Sequence, residues 1–340
     1  TLETGQPAPT ASVLILNWNG RDLLPRCLEA VRRQTFTDFE TLVVDNASHD
    51  GSADGLEDRW PGLRVIRLQR NLGFAAGNNL GARLASGRWL VLLNNDAFPE
   101  PGWLQALVCA AREQPGYNFF ASQILQDRQP GQIDATGDIL HVSGTAWHRD
   151  LNRPVEAATR QAGEVFSACA AAVMYERSAF LAAGGFDESF FSHHEDVDLG
   201  FRLRLLGGRC LYVPEARVLH HGSASFGVES DFTIGQVHRN LVWSYVTNMP
   251  GRLFWKYLPA HLLTSLVFLG YYTRRGQGWP FLRAKIQSLA GLPAALKKRR
   301  QIQRNRVVQP GEIDRLLDHG VFSPFLLGRS AGRMRRIVRR

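Results

Sequence analysis

Cysteine is scarce in this 340-residue chain: Cys27, Cys109, Cys169 and Cys210 are widely spaced and form no C-x-x-C pair. They offer neither a disulfide framework nor a zinc site, which points to a reducing compartment. The opening residues, TLETGQPAPT, hold no basic cluster and no apolar run, so no signal peptide is expected there. No G-x-G-x-x-G follows the first apolar segment, where NWNGRD stands instead, and this argues against a Rossmann dehydrogenase. The stretch GFAAGNNLG lacks the G-K-[ST] of a P-loop NTPase. Internal repeats and low-complexity tracts are absent as well. Acidic residues become rare toward the C-terminus: residues 283–340 carry 15 Lys and Arg against three acids, and residues 1–282 carry 25 against 28. The net charge of +9 therefore belongs to the tail, which implies an anionic partner surface, membrane or nucleic acid.

Apolar periodicity organises the first third of the chain. SVLIL (12–16) reads as a buried strand, and residues 21–34 follow as a helix with Leu23, Leu24, Cys27, Leu28 and Val31 on one face. ETLVVD (40–45) is a second strand and RVIRL (64–68) a third. NLGFAAGNNLGARLASG (71–87) is a loop that becomes a helix ending at Gly87, and a fourth strand spans 88–93. The β-α-β-α-β-α-β order predicts an α/β fold with a mainly parallel sheet flanked by helices. Ligands of such sheets sit beyond the carboxyl ends of the strands, where Asn17, Asp45 and Asp96 all fall. In the second half, 117–150 reads as short strands and turns, EVFSACAAAVMY (164–175) as one buried strand, and ERSAFLAAGG (176–185) as a short helix. EDVDLGFRLRLLGG (195–208) reads as a helix, and CLYVP and RVLHHGS as two strands.

The stretch RWLVLLNNDAFPEPGW (88–103) drives a buried strand into Asn94, Asn95 and Asp96. A carboxylate at the tip of a core strand is costly to desolvate unless something pairs with it. It is either a helix cap or a ligand for a metal and the phosphates that metal carries. HHEDVD (193–198) and VPEARVLHHGSAS (213–225) add carboxylates and histidines. A metal bound to a diphosphate needs few protein ligands, because phosphate oxygens and water complete its shell. Asp196, at a helix start, is placed to act as a general base, with ordinary helix capping as the alternative.

Taken in order from Ser12 to Ser225, the segments VLILNWNG, VVDNASHDGS, RNLGFAAGNNLG, WLVLLNNDAFPEPGWL, GGFDESFFSHHEDVDLGFRLRLLG and VPEARVLHHGSAS resemble glycosyltransferase family 2. Within it, the likeness is to bacterial rhamnosyltransferase-like enzymes of cell-surface polysaccharide synthesis. The resemblance implies a GT-A catalytic domain over 1–225, with a nucleotide-sugar-binding half at 1–115 and an acceptor half at 116–225. It also implies inversion at the anomeric carbon. On that likeness Asn17, Asn19, Asp45 and Asn46 line nucleobase and ribose, and Asn71, Gly73, Phe74 and Asn78 shape the donor pocket. The D-x-D metal motif falls on Asn94-Asn95-Asp96, which leaves Asp96 as the single ionised ligand of Mg²⁺ or Mn²⁺ beside two donor-binding asparagines. His220, ahead of His221, matches the metal-ligating histidine. Asp196 matches the catalytic base, and Glu195 its acidic neighbour facing acceptor or donor sugar. The chain departs from the family at Ser192-His193-His194, where an aromatic or Met-Tyr pair is common; this is either an acceptor-selecting change or a solvated loop. The implied donor is dTDP-rhamnose, then a UDP-sugar, and the implied acceptor a glycan or polyprenyl-diphosphate-linked glycan. A sugar-nucleotide pyrophosphorylase would carry a Gly-rich first loop with basic residues, which is absent.

Residues 226–340 read as a helical, basic, membrane-associating region. LFWKYLPAHLLTSLVFLGYY (253–272) has the length of a bilayer span, but Lys256, Pro259 and His261 interrupt it, so it reads as an interfacial helix or else a core helix. LKKRRQIQRNR (296–306) and GRMRRIVRR (332–340) supply positive charge for the cytoplasmic leaflet of a plasma membrane. The alternative from another class is a nucleic-acid-binding protein using the same Arg-rich tail.

Overall fold

The structure, a computed structural model, describes residues 8–129, 131–222 and 230–325. The predicted alternation is present: β1 (Ala11–Asn17), α1 (Leu24–Arg32), β2 (Phe39–Asp45), the short α2 (Leu56–Arg59), β3 (Leu63–Arg67), α3 (Gly73–Leu84) and β4 (Trp89–Asn94). Then follow β5 (Ala97–Pro99), α4 (Trp103–Glu113), β6 (Phe119–Gln126), β7 (Ile133–Ala135), β8 (Asp138–Leu140), β9 (Ala146–His148), β10 (Gly163–Val165), β11 (Ala172–Glu176), α5 (Arg177–Ala182), α6 (Glu195–Leu205) and β12 (Cys210–His220). Five helices close the chain: α7 (Asp231–Asn248), α8 (Gly251–Arg274), α9 (Gly278–Ala290), α10 (Leu292–Asn305) and α11 (Pro310–Leu316).

The main sheet runs β10-β12-β6-β11-β4-β1-β2-β3. β1, β2, β3 and β4 are parallel, and β6 is parallel to β12, while β11 and β10 run against their neighbours. Alternate residues of the central strands feed two apolar layers, as strands covered on both faces must. Val13, Ile15, Val91 and Leu93 pack with α1 and α4, whereas Leu14, Leu90 and Leu92 pack with α3, α5 and α6. Gly81 lets α3 lie directly on β1, since a Cβ there would come within 2.3 Å of the Leu14 side chain.

Two expectations change. The single strand expected over 164–175 is two strands, β10 and β11, with different partners, because the chain leaves the sheet over 166–171 to line the site. CLYVP and RVLHHGS are conversely one strand, β12, with a bulge between Val213 and Arg217 that absorbs Pro214. Ser223–Ser225 and the Arg-rich segment 332–340 lie outside the described residues.

The C-terminal helices share a core with the α/β part of the chain. Phe166, Val197, Phe201 and Leu205 pack with Tyr245, Met249, Leu253, Tyr257 and Ile313 in one buried cluster. In α8 only Leu253, Tyr257, His261 and Thr264 are buried, and His261 Nδ1 lies 2.8 Å from the Ser143 carbonyl. The opposite stripe is open: Trp255, Leu263 and Leu266 are 71%, 60% and 65% exposed. α8 is thus neither a core helix nor detached. Part of the basic run is also occupied within the protein. Arg299 donates to the Val246 and Met249 carbonyls at 2.7 Å, capping α7, and Lys298 pairs with Asp187 at 2.5 Å.

Candidate active site

Parallel register puts the ends of β1, β2 and β4 side by side, with Asn17 opposite Asp45 and Leu16 opposite Asn94. A cavity of about 560 Å³ opens at this edge. Of the residues named from sequence, Asn46, Asn71, Gly73, Phe74, Asn94, Asn95, Asp96, Glu195, Asp196 and His220 line it. Asn17 and Asp45 lie behind the wall. Asn17 Nδ2 donates to Asp45 Oδ1 at 3.0 Å, and its Oδ1 accepts from Asn95 Nδ2 at 2.9 Å, so the pair orients the β4 asparagine. Asn19 and Asn78 are not in the cavity wall. Asn19, at φ +52°, accepts from the His49 N–H at 2.9 Å and braces the neighbouring turn, and Asn78 bonds within α3 to the Phe74 carbonyl at 3.0 Å. Asn46 bridges β2 to the start of α3, donating to Asn71 Oδ1 and accepting from the Leu72 N–H, both at 2.8 Å.

The tip of β4 carries the buried Asp96 to the last residue of β12. His220 Nε2 is 3.3 Å from Asp96 Oδ1, and His220 Nδ1 is 2.8 Å from Asp134 Oδ2 on β7. Burial disfavours the imidazolium, but Asp134 and Asp96 outweigh it and push His220 up to about 10. His221 points elsewhere, with Nδ1 3.0 Å from Asp127 and Nε2 accepting from Arg128. A carboxylate and an imidazole converging on one point, the imidazole backed by a second carboxylate, is a donor set that suits a divalent cation. Among the described residues no group of three or more His, Cys, Asp or Glu side chains could hold a metal by itself, so diphosphate oxygens and water would supply the other ligands.

The remaining wall is made of loops and the first turn of α6. Asp196 Oδ2 accepts from the Ala170 N–H at 3.1 Å and Oδ1 from the Val197 N–H at 2.8 Å. Burial, then the nearby Asp138, pushes Asp196 up to about 6 despite these bonds. Burial and Asp196 push Glu195 well above the usual carboxyl range, and its Oε2 has no hydrogen-bond partner among the described residues. Burial lowers His194 to about 4, so its imidazole is neutral. Segment 190–194 is no solvated loop: Ser192 is buried, and His193 and His194 are half-buried in the cavity wall.

Sequence reasoning missed Trp18, Trp147, His148, Cys169 and Phe191 in this wall, and the buried Asp138. Asp138 and His148 face each other across the β8–β9 hairpin, with His148 Nδ1 2.7 Å from Asp138 Oδ1, and Ser167 Oγ donates to Asp138 Oδ2 at 2.9 Å. Reading DILHVSGTAWH as a hairpin around SG would have paired them. Phe191 abuts Gly73, which sits at φ +83°; a Cβ there would come within 2.7 Å of the Phe191 carbonyl oxygen, so only glycine admits this approach of the start of α3 to segment 190–194.

A mostly parallel α/β sheet with an acidic tip at its carboxyl edge and a second acidic pair across a shared cavity is an architecture this chain shares with solved glycosyltransferases of the GT-A fold. The chain belongs to glycosyl transferase family 2, which matches residues 12–181. Among curated relatives it is 29% identical over 243 residues to an N-acetylglucosaminyl-diphospho-decaprenol L-rhamnosyltransferase of Mycobacterium tuberculosis, a match covering 64% of this chain and 78% of that one. It is 30% identical over 227 residues to the O-antigen biosynthesis protein RfbC of Myxococcus xanthus, covering 64% of this chain but only 18% of that protein. Among solved structures, a mannosyltransferase from Pyrobaculum calidifontis in complex with GDP-Man and Mn²⁺ superposes with a TM-score of 0.53 at 17% identity, covering 85% of this chain and 76% of that one. The chain is a glycosyltransferase with rhamnosyltransferase-like relatives in polysaccharide synthesis.

Proposed function

We propose that the protein is an inverting, divalent-metal-dependent glycosyltransferase that moves rhamnose from dTDP-rhamnose, or next a sugar from a UDP donor, onto a glycan or polyprenyl-diphosphate-linked acceptor. The observation that carries this is the placement of Asp96, faced by His220, in the same cavity as Asp196. Asp96 and His220 would hold Mg²⁺ or Mn²⁺, which when bound neutralises negative charge on a leaving diphosphate. Mn²⁺ in the Pyrobaculum structure and the rhamnosyltransferase relative support the metal and the sugar respectively. Asn46, Asn71 and Gly73 shape the nucleotide side, with Asn17 and Asp45 bracing it from behind. Asp196, ionised and held by two main-chain N–H groups, takes the proton of the attacking hydroxyl. Glu195, whose neutral form is favoured by burial and by Asp196, faces a sugar oxygen.

The proposal includes peripheral attachment to the inner face of the plasma membrane. Residues 232–311 contain no Asp or Glu and thirteen Lys and Arg, and α8 and α9 both expose apolar stripes, Trp279 and Leu289 on α9 being 67% and 62% exposed. Apolar stripes on a segment with an excess of cations suit an anionic lipid interface.

The test is nucleotide-sugar hydrolysis across a donor panel, with Mn²⁺, Mg²⁺ or chelator, beside Asp96→Ala. Metal-dependent release of one nucleoside diphosphate, lost in the variant, supports the reading and names the donor. No release, together with no metal-dependent binding of any nucleoside diphosphate, overturns it.

A further inference from the structure

The segment that delivers the acidic pair is held in an unfavourable conformation. Phe191, His193 and His194 are non-glycine residues at φ +64°, +69° and +70°. Such residues persist only where the surroundings over-determine them. From α6 the segment receives one main-chain bond, the Asp198 N–H donating to the His194 carbonyl at 3.1 Å, and no side-chain cap at His194. The side-chain restraint comes from α7. Asn240, fully buried midway along that helix, directs Nδ2 at the carbonyls of Phe190, Ser192 and His193, at 3.1, 3.0 and 2.8 Å. Arg239 fixes the orientation of this amide, since its Nε donates to Asn240 Oδ1 at 3.0 Å while its Nη2 donates to the Phe190 carbonyl at 3.0 Å. On the other side the Ala75 N–H donates to the Phe191 carbonyl at 3.2 Å. One side chain therefore gathers three carbonyls of a five-residue strap, and the two residues after the strap are Glu195 and Asp196.

We propose that Asn240 is a positioning residue for the reaction: by clamping the 190–194 strap it sets the direction in which α6 begins and so places the Asp196 carboxylate against the acceptor. This rests on the role given to Asp196 above. It makes α7 part of the catalytic apparatus and not only of the C-terminal region. Asn248, two turns further along α7, provides the contrast. It is equally buried, but its Nδ2 donates to Asp198 Oδ1 at 2.7 Å, inside the body of α6 and beyond the strap.

The test uses the full chain as wild type, Asn240→Ala, Asn240→Ser (which keeps one donor) and Asn248→Ala. Four quantities are read: kcat and its pH dependence with the donor that wild type turns over, Mn²⁺-dependent binding of dTDP and UDP, melting temperature, and amide hydrogen exchange over 190–198. Misplacing a reacting group by about 1 Å costs on the order of 100-fold. Asn240→Ala is thus expected to lower kcat by roughly 10- to 100-fold, to shift the acid limb of the pH profile, and to speed exchange over 190–198, with nucleoside-diphosphate affinity within about threefold of wild type. Asn248→Ala is expected to lower the melting temperature and leave the acid limb in place. Should Asn240→Ala fail to fold, Asn240→Ser is read against the same expectations. Wild-type kcat, acid limb and exchange in a folded Asn240 variant overturn the proposal, as does loss of nucleotide affinity in step with kcat. A wild-type chain that binds and hydrolyses no nucleotide donor overturns the glycosyltransferase reading itself, and the role of Asn240 falls with it.

Discussion

The two sides of the cavity are built by different means. The side we propose binds the donor is a product of strand register: β1, β2 and β4 end level, so Asn17, Asp45 and Asn94–Asp96 meet without any loop having to be folded into place. The catalytic side is assembled from loops, a hairpin and the first turn of α6, and its strap is held by a helix almost fifty residues further along the chain. One side inherits its precision from the sheet; the other depends on a few buried hydrogen bonds. Changes on the donor side should therefore act mainly on binding, and changes on the catalytic side mainly on rate.

The sharpest test of that division is Asp196→Asn, which should lower kcat by on the order of 10²–10⁴ while leaving metal-dependent binding of the nucleoside diphosphate intact. Calorimetry beside steady-state kinetics measures both, and loss of binding would break the division. On the donor side, Asp134→Asn removes the group behind His220 and should weaken Mn²⁺ affinity by roughly 10- to 100-fold, measured by Mn²⁺ titration in the presence of nucleoside diphosphate. At saturating metal and donor, the pH dependence of kcat bears on the catalytic side. A base raised to about 6 must be ionised to work, so kcat should fall as pH drops through about 6, approaching a tenfold loss per unit, and stay level above it. A profile already level at pH 5 would contradict the burial of Asp196. The smallest effects belong to α8, whose outer stripe is largely exposed among the described residues. Leu263→Ser with Leu266→Ser should change stability by no more than about 0.5 kcal/mol at either site, yet reduce co-sedimentation with anionic vesicles. Phe201→Ala, in the core shared by α6 and α7, should cost about 3–5 kcal/mol in denaturant unfolding.

The same contrast explains what the sequence revealed. The four apolar strands of the first hundred residues were legible to within a residue or two, because a strand buried on both faces writes its burial as a run of Val, Leu and Ile. Asp96 stood out because a carboxylate ended such a run, and His220 was named through the family resemblance. Trp147, His148 and Asp138 did not stand out: short hairpins carry little periodicity, and their partners are set by a turn. The break between β10 and β11 was hidden because FSACAAA is as apolar as a strand, though it leaves the sheet to line the cavity. Asn19 and Asn78, named through the family resemblance, each make a main-chain hydrogen bond outside the cavity wall, an arrangement that spacing along the chain does not reveal. The strap of His193 and His194 was legible as a departure, but not as a strained one, because its restraint lies in α7.

One detail of the catalytic wall bears on how the protein tolerates change. Both hydrogen bonds that hold the Asp196 carboxylate come from main-chain N–H groups, of Ala170 and Val197. Every residue except proline carries that group. In a saturation scan, the buried positions 170 and 197 should accept small and apolar side chains that fit and still present the carboxylate in the same orientation. Variation at those two positions would then report on packing and say nothing about whether the base is held, whereas proline at either would remove a donor outright. Substitution can drift past this part of the site without being felt by the chemistry.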